Sequence, residues 1–319
     1  MRPTIRLGKV SGIDIGLHWT ILLIGFLLVS TLTGTVLPSF APGLSGAAYL
    51  LAALSTAALF LGSIVAHELG HSIVAQRNDI EVRGITLFAL GGVASLEREP
   101  DNPGAAARIA LAGPAVSVGL GVVSLALAGL VSATIGGTLV VAAFTWLGII
   151  NLALAVFNMV PALPLDGGRV LQAALWKRNG QRHQATISAA KLGRWIGLAI
   201  VVFGLWQFAT TGNGLWTALI GLFVITTAKA EGAQARWALQ REEAERLMAQ
   251  GAGQGTYQWP TVLAQMFAEG ARRGAAIRVP VQPPRSQPQS AGSHADGTVI
   301  DVDSRPVGHR PVSDDPTGH

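Results

Sequence analysis

One five-residue stretch carries the densest chemistry in the chain: His67-Glu68-Leu69-Gly70-His71. Residues four apart in a helix share a face, so the two imidazoles can meet one metal ion. Glu68, one residue along, can reach a water on that ion as a general base. Zinc lowers the pKa of such a water to about 7, which yields a nucleophile at neutral pH. A catalytic zinc site uses three protein ligands and one open position, so two histidines leave it one ligand short. The chain has no cysteine, which excludes a thiolate. His18, Asp166, His183 or an acidic loop residue remain as candidates, and spacing favours Asp166. It ends the run Asn158-Met159-Val160-Pro161-Ala162-Leu163-Pro164-Leu165-Asp166, followed by Gly167-Gly168. The prolines stop a helix and the glycines allow a tight turn, a shape that can bend a carboxylate back toward the histidines. An aspartate before two glycines also suits an ordinary turn.

The elements that must hold these groups read as membrane helices. Half of the 319 residues are hydrophobic and 13% are charged, against about 25% charged in an ordinary soluble domain. All 23 Lys and Arg residues fall in four blocks, leaving 10–76, 109–168 and 195–228 bare. A basic surface for nucleic acid would not spare such intervals, so no nucleic-acid partner is expected. About 20 apolar residues cross a bilayer, and six segments qualify: 17–37, 48–76, 106–130, 138–158, 194–210 and 213–229. The first is too long for a signal peptide and has no small-residue cleavage site after it. The connections 38–47, 131–137 and 211–212 carry no Lys or Arg, while every opposite-side segment does. The positive-inside rule then places both termini in the cytoplasm of a cell-membrane protein. Arg77 lies six residues beyond His71, or ~9 Å along a helix, which sets the metal near the cytoplasmic end of the second span.

Residues 80–96 are short, rich in β-formers and broken by Gly84 and Gly91-Gly92, which predicts a hairpin beside the helices. Such backbone is tolerated at membrane depth only against protein or a watered cavity. The fold expected is an all-α polytopic membrane protein: six transmembrane helices, a membrane-associated β-hairpin between the second and third, and a disordered C-terminal tail. Residues 1–230 form the membrane-embedded domain, 231–250 a cytoplasmic helical extension, and 251–319 a mostly disordered tail rich in Gly, Pro, Ser and Gln.

Together these pieces resemble the site-2 protease family of intramembrane zinc metalloproteases. The matching residues are His67-Glu68-Leu69-Gly70-His71, Asn158 through Gly168, Gly91-Gly92, and Ala112-Gly113-Pro114. Ile5-Arg6-Leu7-Gly8 with Leu17-His18-Trp19 is similar to the six-span branch that includes the sporulation protease processing a membrane-tethered sigma-factor precursor. The resemblance implies one zinc ion per chain held by His67, His71 and Asp166, with Glu68 as general base. It implies that Asn158 steadies the substrate or the oxyanion, and that Gly91 and Gly92 lie in a hairpin that takes an extended substrate backbone. The implied partner is a membrane-spanning protein substrate, such as an anti-sigma factor or a membrane-tethered transcription regulator, cut near the cytoplasmic face in regulated intramembrane proteolysis. The chain departs from the family twice. Ser117 stands where an asparagine often follows the Gly-Pro pair, and the tail shows no pattern of paired nucleotide-sensing modules.

Two other functions compete. A membrane metal-ion transporter would spread polar residues along several spans, whereas here they cluster at one depth. An inactive scaffold would tolerate loss of Glu68, which is intact. His18 reads as structural or interfacial and His183 as solvated.

Overall fold

The computed structural model describes residues 4–88, 91–134 and 136–252. The tail expected over 251–319, with His294, His309 and His319, lies outside the described residues apart from its first two. Six helical segments are long and apolar enough to cross a bilayer: Thr20–Phe40, Gly46–Gln76, Pro103–Thr134, Thr138–Asn158, Arg182–Thr211 and Leu215–Ala249. The first contains α1 (Thr20–Thr31), a π-helical turn (Leu32–Val36) and α2 (Leu37–Phe40). The others are α3 (Gly46–Gln76), α4 (Pro103–Thr134), α5 (Thr138–Asn158), α7 (Arg182–Thr211) and α8 (Leu215–Ala252). Helices α7 and α8 extend well beyond the apolar cores visible in the sequence, because helix continues into the polar flanks: α7 begins at Arg182 and α8 runs unbroken through Arg241 and Glu245.

The six spans turn large apolar side chains outward and small residues inward. Leu23, Phe26, Leu51, Val122, Val156 and Phe203 are exposed, as suits contact with lipid. The buried positions of α4 include Gly113, Ser117, Gly121, Ser124 and Ala128, and those of α7 include Ala189, Gly193, Gly197 and Gly204. Lipid tails are as apolar as leucine, so membrane helices gain by close backbone approach over small residues. A Cβ added at Gly204 would lie 2.4 Å from the backbone N of Ala218 on α8. Gly204→Ala is therefore expected to cost about 1–3 kcal/mol by overpacking and to lower the melting temperature in detergent. Gly119→Ala is its control, since a Cβ there meets nothing within 4 Å.

A four-stranded sheet caps the end of α3 where the histidines lie. Its order is β1 (Ile5–Val10), β2 (Ile13–Leu17), β3 (Val82–Phe88) and β4 (Gly91–Leu96). The expected hairpin is the antiparallel pair β3 and β4, from Val82 opposite Leu96 to Phe88 opposite Gly91. The sequence reading missed the other two strands. Ile13, Ile15 and Leu17 alternate with Asp14 and Gly16, a two-residue period that pairs β2 in parallel with β3. The first span consequently begins at Thr20 rather than 17, and the His18 N–H still donates to Leu87 O at 2.8 Å. Ile13, Ala75, Ile80, Val82, Ile85 and Ile109 share one buried cluster, which fixes the sheet to the end of α3 and the start of α4.

A second element was unforeseen. Asp166 is not in a free turn; it is the first residue of α6 (Asp166–Asn179), a helix too short and polar to span a membrane. Lys177 and Arg178 occupy its last turn, and Gly180 ends it in the left-handed conformation (φ 68°). Acid at the start and base at the end both favour the helix dipole.

Candidate metal centre

His67 and His71 lie one turn apart on α3, and their Nε2 atoms are 3.2 Å from each other. Asp166 Oδ2 lies 3.3 Å from both. The turn before α6 delivers the carboxylate. Ala162 and Leu163 are fully buried, Ala162 in a cluster with Leu165 and Val224 and Leu163 in one with Ala189 and Ala190. The two glycines after Asp166 are required by packing. A Cβ at Gly167 would lie 2.2 Å from Met159 O, and one at Gly168 would lie 2.4 Å from the Ala162 carbonyl carbon. With any larger residue, α6 could not start so close to the end of α5.

The far side of each ring is held by α4. Nδ1 of His71 donates to the Ile109 carbonyl at 2.7 Å, and Nδ1 of His67 hydrogen-bonds the Ser117 hydroxyl at 2.9 Å. A carbonyl only accepts, so the proton of a neutral His71 ring sits on Nδ1 and its Nε2 presents a lone pair. Burial opposes ionisation of Asp166, but a proton on the neighbouring imidazoles outweighs this and holds its carboxyl down at about 2. With both rings neutral and protonated on Nδ1, two lone pairs and the carboxylate oxygen instead converge on one small volume, a repulsive arrangement that a cation at its centre relieves.

Whether a metal ion fits can be judged from the donor spacing. Tetrahedral donors at about 2.0 Å from an ion stand about 3.3 Å apart, and the three separations here are 3.2, 3.3 and 3.3 Å. The donor set is two imidazoles and one carboxylate, each mostly buried. Among the described residues, this cluster alone brings three such groups together.

Glu68 faces a cavity of about 740 Å³ whose walls include both histidines, Asp166, Gly91, Gly92 and Asn158. Its carboxylate packs against the hairpin so closely that a Cβ at Gly92 would lie 2.4 Å from Glu68 Cγ and 2.9 Å from Oε1. Asn158, the last residue of α5, is half-buried on the same cavity. Phe88, Phe157 and Phe223 add apolar wall, and Arg169 and Glu231 pair at 3.8 Å among its lining residues. Arg182 also lines it: the guanidinium contacts Glu99 Oε2 at 2.6 Å and lies 5.3 Å over the Trp176 ring, tying the segment after β4 to α7.

The structure thus brings every proposed site residue onto one cavity. The two other histidine candidates for the third ligand lie in other contacts. His18 hydrogen-bonds Thr20 Oγ1 at 3.0 Å, and His183 pairs with Glu242 at 3.1 Å rather than being merely solvated. Sequence reasoning missed Ser117 and Gly113 as neighbours of the imidazoles. The available signal was a recurrence of small residues at 113, 117, 121 and 124 along an otherwise apolar helix.

The chain is similar in sequence to several known proteins. The family model for peptidase family M50 matches residues 55–141 and 127–204. Rip3 of Mycobacterium tuberculosis is 39% identical over 233 residues, covering 72% of this chain and 59% of Rip3. The protein sll0528 of Synechocystis is 40% identical, covering 79% of this chain and 65% of its own length. The chain therefore spans less than two thirds of these relatives. A solved structure, the site-2 protease from Methanocaldococcus jannaschii, is 32% identical over 72% of this chain and 94% of its own, with a TM-score of 0.49.

Proposed function

The chain belongs to peptidase family M50, the family of the site-2 proteases, and from that premise we propose that it is an intramembrane zinc metalloprotease. The observation that carries the proposal is the convergence of His67, His71 and Asp166 at 3.2–3.3 Å, with Glu68 beside them on a cavity among apolar helices. His67, His71 and Asp166 are the zinc ligands. When bound, zinc supplies a Lewis acid and makes water nucleophilic near neutral pH.

The remaining work falls to the protein's own side chains. Glu68 takes the proton of the attacking water and passes it to the leaving amine nitrogen. The Asn158 amide donates a hydrogen bond to the carbonyl oxygen as it gains charge. The hairpin holds the substrate extended. Among the described strands β4 pairs only with β3, and Gly91 and Gly92 line the cavity without side chains to fill it. An extended backbone laid there would expose an amide that helical hydrogen bonds otherwise shield.

The charge map supports cytoplasmic termini and a cut near the cytoplasmic face. Arg77 follows α3 directly, and Arg169, Lys177 and Arg178 lie on α6, beside the site. The substrate we propose is a membrane-spanning protein, such as an anti-sigma factor or membrane-tethered transcription regulator, cut in regulated intramembrane proteolysis. The test uses the full chain in proteoliposomes with a labelled transmembrane reporter. Cleavage is expected, with loss on treatment with a zinc chelator and return on adding zinc. Cleavage that persists in metal-free protein overturns the proposal. In cells, membrane fragments that are cut in the wild type should accumulate uncut with Glu68→Gln.

A further inference from the structure

The two imidazoles are held unequally by α4. Positions 109, 113 and 117 are spaced by one turn, so they form one column on the face that meets α3. At the first level the Ile109 carbonyl holds His71, and being backbone it cannot be removed by substitution. At the third level a side chain, the Ser117 hydroxyl, holds His67 at 2.9 Å, and Ser117 is fully buried. Between them Gly113 presents bare backbone to both rings. A Cβ there would lie 2.2 Å from His71 Nε2 and 2.6 Å from His67 Nε2, the two atoms that face Asp166. Neither ring is a free end that could swing aside, because both Nδ1 atoms are already engaged.

We infer that Ser117 and Gly113 are positioning residues that set the metal affinity of the site, Ser117 by fixing the His67 ring and Gly113 by leaving room for both Nε2 atoms. The inference rests on His67, His71 and Asp166 being the metal ligands. An imidazole with no partner on Nδ1 turns broadly about its second side-chain torsion. Its Nε2 lone pair then points at the ion for only part of the time. Loss of such an outer partner typically weakens metal binding by about ten- to a hundredfold. The column also makes α4 a template: the same helix fixes the angle of one ring, the angle of the other, and the gap between them. Of the two ring partners, only Ser117 can be altered without moving backbone.

The experiment compares full-length wild type, Ser117→Ala and Gly113→Ala in detergent, with zinc alone as ligand. Zinc affinity is measured by competition with a chromogenic chelator, and melting is followed with and without zinc. Ser117→Ala is expected to bind zinc about ten- to a hundredfold more weakly, with unchanged melting of the metal-free protein and a smaller rise on adding zinc. Gly113→Ala, whose methyl group meets both rings, is expected to lose more. Ser117→Ala removes one oxygen and keeps the test readable if Gly113→Ala fails to fold. Wild-type zinc affinity in Ser117→Ala overturns the inference. So does a fall in metal-free melting at unchanged affinity, since that is a packing role alone. If the wild type itself binds no zinc, the ligand assignment fails as well. If it binds zinc and the variants match it, only the present inference fails.

Discussion

Glu68→Gln is expected to keep its zinc and lose cleavage. Glutamine matches the carboxylate in size, so its side chain still fits beside Gly92, where a Cβ would lie only 2.4 Å from Glu68 Cγ. The ligand cluster does not include Glu68, so metal content should stay at one zinc per chain. What disappears is the proton acceptor. A positioned general base contributes roughly 10²–10⁴-fold to rate, and no other carboxylate besides Asp166 belongs to the metal cluster. Turnover of a transmembrane reporter should therefore fall at least about a hundredfold, while metal analysis of the same preparation is unchanged. Full cleavage by purified Glu68→Gln would falsify the assignment of Glu68, and loss of its zinc would show that this residue belongs to the ligand set.

The separation of these two outcomes depends on how the site is built from three parts of the chain. The part on α3 was legible in the sequence because it is local: a four-residue spacing in a helix fixes a shared face whatever the tertiary fold. Asp166, almost a hundred residues away, was legible through its turn chemistry, the prolines before it and the glycines after it. Its setting was not. Asp166 starts α6, whose 14 residues are too polar to register as a span and too short to stand out from a loop. The strands β1 and β2 escaped for a similar reason, since five or six residues of alternating pattern beside a long apolar segment read as the segment's flank. The contribution of α4 was legible only as a recurrence of small residues along an apolar helix. A buried serine and a glycine on an apolar helix fit ordinary small-residue packing in a membrane. Only the crossing of α3 with α4 shows that Gly113 and Ser117 meet the imidazoles while Gly121 meets Leu152 of α5. Side chains that act through a distant partner carry no spacing signal of their own.

Asp166→Ala should remove both zinc and activity, and its contrast with Glu68→Gln distinguishes a ligand from a base. The variant takes away one of three donors and the negative charge that lies 3.3 Å from the two Nε2 atoms. Loss of an outer-sphere partner costs about ten- to a hundredfold in affinity, so loss of a direct donor should exceed roughly a hundredfold. The fold should tolerate the change. Asp166 opens α6, where an acidic residue near the helix start contributes typically about 0.3–1 kcal/mol. The glycines that let α6 pack on the end of α5 remain in place. Metal-free Asp166→Ala should therefore melt close to the metal-free wild type, and the rise on adding zinc should vanish. Asp166→Asn sharpens the test, because it keeps the shape and an oxygen but not the charge; it should retain weak binding between the two extremes. If Asp166→Ala instead binds zinc as the wild type does, the third ligand lies elsewhere and the 3.3 Å contacts are ion pairs with a protonated imidazole. If it loses metal-free stability along with zinc, Asp166 is a structural residue of the α5–α6 turn first and a ligand second.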